Sequence, residues 1–246
     1  MSGPRPSESE RLSRAFYAAL GADGLAARTR PEFDRRIIGQ LVQLMPDHGR
    51  VLDVGCGYGR IAIPLAKAGF TVSGLDLSPT MIAAARQNAG NADVAIDFVV
   101  GSMTALPYEA GSFDVIVCLW TAFYELLGAD EQEAALGEMW RVLALGGSGI
   151  VEGPVYEEAT PAEIASSARH AADRRVRRST VEGLINVHYA HDAQSLGDRC
   201  RAAGVDRWRV EERDWGGRRR MLLTFVKDPS PIGRLARVRW FAAYLE

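Results

Sequence analysis

The segment from Val51 to Arg60 reads Val-Leu-Asp-Val-Gly-Cys-Gly-Tyr-Gly-Arg, with Gly55, Gly57 and Gly59 at alternate positions behind a short apolar run that contains Asp53. Glycines at that spacing permit a turn that side chains would block. A strand leading through such a turn into a helix leaves backbone N–H groups at the carboxyl end of a sheet, where open α/β sheets bind ligands. The chemistry this suits is the binding of a nucleotide-like cofactor. Asp53 is placed to hold the N–H groups of the turn or a ligand amine. Asp76 stands seventeen positions after Gly59, just past the β-branched and apolar run Thr71 to Leu75. An aspartate at the end of a second strand accepts two ribose hydroxyls on its two oxygens. The dinucleotide fingerprint G-x-G-x-x-G is not met, because Arg60 occupies the third glycine position. A nicotinamide cofactor is therefore disfavoured.

Proton-transfer candidates lie further along the chain. His188 ranks first because imidazole titrates near neutral pH, with Tyr124 and His191 behind it. Carboxylates and histidines around Glu152, His188, His191 and Asp192 leave a divalent metal open, although their spacing matches no specific ligand set.

The elements that must position these residues follow from apolar periodicity. Leu12 to Leu20 and Phe33 to Met45 carry helical stripes, with a glycine-containing linker, Gly21 to Pro31, between them. Strands are expected at Val51–Val54, Thr71–Leu75, Ile96–Val100, Val115–Trp120 and Ser148–Glu152. Helices alternate with them: Ile61–Ala68, Thr80–Asn88 behind Ser78-Pro79, and Asp130–Leu143. Alternation of this kind implies a mainly parallel sheet. Pro154 to His191 interrupts it with a short helix at Pro161–Ala172 and two strands, Arg174–Thr180 and Leu184–Ala190. A helix at Asp192–Ala203 and a strand pair at Val205–Glu212 and Arg220–Val226 complete the order, and Pro231–Glu246 closes it with an amphipathic run.

The form hhDhGCGxG, with h apolar, at Val51–Gly59 resembles the first motif of the class I S-adenosylmethionine-dependent methyltransferases. Leu106-Pro107-Tyr108 to Gly111-Ser112-Phe113-Asp114 resembles that family's L-P-F…F-D entry to its fourth strand, and Leu145-Gly146-Gly147 its helix-to-strand glycine turn. The resemblance covers roughly Val51 to Glu152 and, more loosely, Val205 to Val226. It implies an α/β, Rossmann-like, seven-stranded and mainly parallel sheet with an antiparallel C-terminal hairpin and an inserted cover over the active site. The chain then reads as one methyltransferase domain: an N-terminal helical lid (1–48), a cofactor-binding core (49–153), a substrate cover (154–191), the C-terminal part of the core (192–228) and a C-terminal helix (229–246).

The same resemblance implies methyl transfer from S-adenosylmethionine, with S-adenosylhomocysteine as product, to a small polar metabolite. A hydroxyl of a sugar or natural product leads; a small amine, or non-methylating chemistry on the bound cofactor, is the alternative. It places Gly55, Cys56 and Gly57 with Asp53 at the turn, Asp76 on the ribose, Leu77 against adenine and Met81 in the same crevice. Ser102 and Met103 fall at the adenine edge, where the family commonly has an aspartate in place of Ser102. Leu119 and Trp120 offer backbone groups to the methionine amine, Phe123 and Tyr124 wall the acceptor pocket, and the lid brings Tyr17 over the cofactor and Arg30 to its carboxylate.

Composition bounds the partners. Among 246 residues, 47% are hydrophobic and the formal net charge is -2, so nothing pulls the chain as a whole toward nucleic acid. Cys56, Cys118 and Cys200 are too far apart for a zinc or disulfide framework, which fits a reducing compartment. No apolar run reaches the ~20 residues needed to span a bilayer, and the polar N-terminus lacks a signal-peptide core. A cytoplasmic protein is expected, with docking, a homodimer contact or a membrane surface as readings of the amphipathic tail.

Overall fold

The computed structural model describes residues 6–155 and 175–228. The expected helix at Pro161–Ala172 and the amphipathic tail at Pro231–Glu246 lie outside the described residues.

Seven strands form one sheet: β1 (Arg50–Val54), β2 (Thr71–Asp76), β3 (Asp97–Val100), β4 (Phe113–Cys118), β5 (Leu143–Pro154), β8 (Trp208–Asp214) and β9 (Arg219–Val226). Their spatial order is β3-β2-β1-β4-β5-β9-β8, and β9 runs antiparallel to both of its neighbours. The central strands β1 and β4 are buried along almost their whole length, as expected of parallel strands covered on both faces by helices. The strand order reverses between β1 and β4, so the carboxyl ends of these two strands open a crevice, the usual ligand position in such sheets.

Among the described residues, six helices accompany the strands: α1 (Glu8–Ala26), α2 (Pro31–Leu44), α3 (Ala62–Lys67), α4 (Pro79–Asn91), α5 (Ala129–Val142) and α6 (Ala193–Ala202). One core layer packs Ile37 and Leu41 of α2, Leu65 of α3 and Ile82 of α4 against the sheet, together with Trp215. The other packs Leu136 and Met139 of α5, Leu196 of α6, Tyr124 and Phe225 on its opposite face. Local signals fix the helix starts. Ser7 and Glu10 form a capping box on α1, the Ser78 hydroxyl accepts from the Met81 N–H on α4, and the Asp192 carboxylate accepts from the Ser195 N–H on α6.

Four boundaries differ from the sequence expectation, each for a local reason. The linker expected from Gly21 is largely helical: α1 bends at Gly21, whose φ of 70° only glycine adopts without strain, and continues to Ala26. α5 stops at Val142 and β5 begins at once, so the expected glycine turn at Gly146-Gly147 is a register irregularity within β5 opposite Phe113–Val115. β4 ends at Cys118 rather than Trp120, because Trp120 and Thr121 take left-handed conformations, with φ of 60° and 75°. Finally, β6 (Val176–Val181) and β7 (Leu184–Tyr189) pair as a separate hairpin whose turn, Glu182-Gly183, has both φ angles positive, as a two-residue hairpin turn requires. β7 lies against α1 and against the short 3-10 helix Ala122–Glu125 that follows β4.

Candidate functional site

The crevice at the carboxyl ends of β1, β2 and β4 is a cavity with about 900 Å3 of empty space, part of it open to solvent. α1 forms its roof through Ser9, Glu10, Ser13 and Tyr17, and Leu25 closes one side. The glycine turn forms the floor. Gly55 has a φ of 75°, and a Cβ there would fall 2.5 Å from the Cβ of Ala122, so a side chain at 55 meets the cavity wall itself.

Asp76 ends β2 with both oxygens engaged by backbone: Oδ2 accepts from the Gly57 N–H at 2.8 Å and Oδ1 from the Ser78 N–H at 2.8 Å. The carboxylate thereby ties the turn to the start of α4 and, with one N–H on each oxygen, keeps acceptor capacity on a side chain that lines the cavity. Burial raises its pKa, and the two N–H bonds oppose that rise. Behind it, Asp53 is buried, with one carboxyl oxygen lacking a partner, and burial, reinforced by Asp76, pushes it up to about 7.

At the exit of β4 the left-handed Trp120 is clamped from three sides. Its N–H donates to Glu152 Oε2 at 2.8 Å, its ring stacks 3.5 Å beneath the Arg60 guanidinium, and Phe33 packs against it at 5.2 Å. Arg60 is in turn bound by Asp34, and Glu152 by Arg220. Backbone strain of this kind persists where the surroundings over-determine it, as these contacts do.

The last residue of the 3-10 helix, Glu125, is a buried carboxylate on the cavity wall. It accepts from Ser13 Oγ at 2.7 Å, from the Tyr17 hydroxyl at 2.7 Å and from Asn186 Nδ2 at 3.5 Å. Ser9, one turn before Ser13, donates to Glu131 at 2.6 Å and accepts from the Leu127 N–H at 2.9 Å. Residues 9, 13 and 17 share one helix face, so three hydroxyls latch α1 across the cavity. Burial raises the Glu125 pKa, and the three hydrogen bonds oppose that rise.

The residues singled out in the sequence divide sharply by position. Tyr17, Gly55, Cys56, Gly57, Asp76 and Leu77 line the cavity, as do Met81, Ser102, Met103, Leu119 and Trp120. The Ser102 hydroxyl is already engaged with Thr104, at 2.8 Å. Arg30 is off the wall: it is an exposed residue in extended conformation, the geometry that Pro31 behind it imposes. Asp53 sits beneath the turn and does not reach the cavity surface.

The expected proton acceptors are displaced more severely. Tyr124 and Phe123 do not wall a pocket; both rings are fully enclosed in the core. His191 is enclosed as well, packed against Phe123, Tyr124 and Tyr189, with Nδ1 3.1 Å from Ser195 Oγ and Nε2 without a partner. Burial, with Arg175 and Arg199 adding, pulls it down to about 3, so the ring is neutral at neutral pH. His188 is half-buried on β7 opposite Arg177, away from the cavity wall, and burial lowers its pKa. Among the described residues, no group of three or more His, Cys, Asp or Glu side chains is placed to hold a metal ion. Glu152 and Asp192, the carboxylates considered for one, are occupied by Arg220 and Arg175. No described helix is long and apolar enough to cross a membrane.

Asp53 and His191, both buried, predict opposite pH responses. Asp53 has a raised folded-state pKa, so its contribution is fully present below the unfolded value near 4 and is lost as pH rises to about 7. His191 has a lowered one, so its contribution is present above about 6.5 and is lost as pH falls toward 3. Each loss is on the order of 4 kcal/mol across its window. Asp53→Asn is therefore expected to gain stability relative to the parent as pH rises from 4 to 7, and His191→Phe to gain it as pH falls from 6.5 to 4. Denaturant unfolding across that range reads both slopes; parallel curves for parent and variants contradict the assignment.

Residues 51–147 match the family described as Methyltransferase domain. Demethylmenaquinone methyltransferase of Renibacterium salmoninarum is 37% identical over 117 residues, covering 48% of this chain and 46% of its own length. Ubiquinone biosynthesis O-methyltransferase of Xanthomonas axonopodis pv. citri is 40% identical over 78 residues, covering 31% and 33%. The chain thus spans roughly a third to a half of the length of the curated relatives it matches. Among solved structures, the Burkholderia thailandensis 1,6-didemethyltoxoflavin-N1-methyltransferase, with bound 1,6-didemethyltoxoflavin and S-adenosylhomocysteine, aligns over 93% of both chains at a TM-score of 0.63 and 17% identity. At that identity the likeness is one of fold. The glycine turn and residues 51–147 thus match a methyltransferase domain, and the strand order is that of a Rossmann-like methyltransferase fold.

Proposed function

We propose that this protein binds S-adenosylmethionine in the cavity above β1, β2 and β4 and methylates a small polar acceptor. The observation that carries this reading is Asp76, a carboxylate on the cavity wall whose oxygens each accept one backbone N–H, from Gly57 and Ser78, and so retain further acceptor capacity. That arrangement suits a pair of vicinal ribose hydroxyls, and the close approach of Gly55 to Ala122 leaves a cradle shaped for a backbone-hugging ligand. When bound, the cofactor supplies an already activated methyl group on a positively charged sulfur.

The chain's own part is to bind, align and dry the site. Asp76 holds the ribose, while Leu77, Met81 and Met103 give the adenine an apolar slot beside Ser102. Leu119 and the clamped Trp120 face the methionine end, and the α1 roof, with Tyr17 over the cofactor, excludes water. The division into lid, core, substrate cover and C-terminal segments is part of the same reading. Similar proteins include both an O-methyltransferase and an N1-methyltransferase, so either a hydroxyl or an amine acceptor accords with them.

Titration calorimetry with S-adenosylmethionine, S-adenosylhomocysteine and NAD tests the cofactor. Dissociation constants in the micromolar range for the first two, near -8 kcal/mol, and none for NAD are expected. Binding of NAD alone, or of none of the three, overturns the reading.

A further inference from the structure

We propose that Glu125 is the acceptor-binding group of the cavity and that the acceptor it receives is an amine. This rests on the methyltransferase reading above. Among the described residues, four charged side chains line the cavity, and three are carboxylates: Glu10, Asp76 and Glu125. The fourth, Arg60, is held by Asp34 and stacked on Trp120, so its charge is already matched. Asp76 is committed to the glycine turn and the start of α4. Glu125 is the deepest of the three, 8% exposed, and stands on the segment that leaves β4 beside Ala122 and the methionine end of the cavity.

A buried carboxylate needs compensation. Its hydrogen-bond donors among the described residues are the uncharged Ser13, Tyr17 and Asn186. They satisfy part of its acceptor capacity, since two carboxylate oxygens offer about four lone-pair positions. An N–H-bearing ligand supplies what is left, and a protonated amine also supplies the missing positive charge. An acceptor carrying a carboxylate or phosphate meets only repulsion from this wall. The donors come from α1 and β7, which brings the roof and the hairpin to the same point as the acceptor.

The chemistry closes without a further reagent. The bound ammonium first passes a proton to the Glu125 carboxylate, which frees the nitrogen lone pair; that pair forms the bond to the methyl carbon as the carbon–sulfur bond breaks, the electron pair of the broken bond stays on sulfur to leave a neutral thioether, and the product leaves as the methylated ammonium. The raised pKa of that carboxyl makes it a better proton acceptor than an exposed glutamate.

Glu125→Gln is the test, because the amide keeps the shape and its one oxygen still accepts from Ser13 or Tyr17, which donate to different oxygens of the carboxylate. Its affinity for S-adenosylhomocysteine by calorimetry is measured beside the parent's, so a failure of the cofactor reading shows there and is distinct. Small primary and secondary amines are then compared with isosteric alcohols, in turnover and in calorimetric binding to the S-adenosylhomocysteine-loaded protein. The expected result is methylation and binding of amines by the parent. In the variant, kcat/KM falls by about 100-fold and the acidic limb of its pH profile disappears, while S-adenosylhomocysteine still binds. Methylation confined to alcohols, no turnover of either class by a cofactor-binding protein, or a variant that matches the parent on amines each overturns the proposal.

Discussion

Asp76→Ala is expected to weaken S-adenosylhomocysteine binding by about 30-fold or more, equivalent to roughly 2 kcal/mol. Two losses combine. The ribose hydroxyls lose a charged acceptor, and the Gly57 and Ser78 N–H groups lose the carboxylate that fixes the turn and the head of α4. Asp76→Asn is expected to bind little better, because its amide nitrogen must face one of those two N–H donors. Calorimetry gives the affinities, and thermal melts without ligand separate a binding defect from a folding one. Burial already penalises the ionised carboxylate, so the loss of fold stability should be smaller than the loss of binding. An Asp76→Ala protein that binds as the parent does would remove the ribose assignment.

The second large effect concerns stability at the wall between β5 and the 3-10 helix. A Cβ at Gly153 would sit 2.0 Å from Cε2 and 2.2 Å from Cζ of Tyr124. The Tyr124 ring is 0% exposed and packs against Phe123 and His191, so it has nowhere to swing. Gly153→Ala is therefore expected to cost about 3 kcal/mol, at the upper end of overpacking. Tyr124→Ala alone should cost a similar ~3 to 5 kcal/mol through its cavity. The double variant should cost far less than the sum, since each change relieves the other's defect. Urea unfolding of the four proteins measures the coupling; additive losses would contradict this packing. Tyr124→Phe is the matching control. Its hydroxyl is buried without a partner, so removal should leave stability unchanged or improved.

The contrast between Tyr124 and Asp76 explains what was legible in the chain. Asp76, the glycine turn and the alternation of strands and helices are local: each depends on residues within about twenty positions, and the sheet order follows from handed crossovers. Tyr124 and His191 had the right chemistry by residue type, but type says nothing of access, and both are sealed in the core by groups distant in sequence. Glu125 escaped notice for the complementary reason. Nothing beside it marks it, and its significance comes from Ser13 and Tyr17, more than a hundred residues earlier, and from Asn186 on the separate hairpin. The one available signal was an acidic residue at the exit of the fourth strand, five positions after Trp120 opens an aromatic-rich run. In the sequence Arg60 is only a departure from a glycine fingerprint, whereas its stack on Trp120 and its bond to Asp34 are tertiary facts.

The most direct measurement is a crystal structure of the protein with S-adenosylhomocysteine. The account predicts both ribose hydroxyls within hydrogen-bond distance of the Asp76 carboxylate, the adenine between Leu77 and Met103, and the sulfur on the Trp120–Glu125 side of the cavity. A ligand bound elsewhere, or one seated in the cavity with its ribose turned away from Asp76, would contradict it.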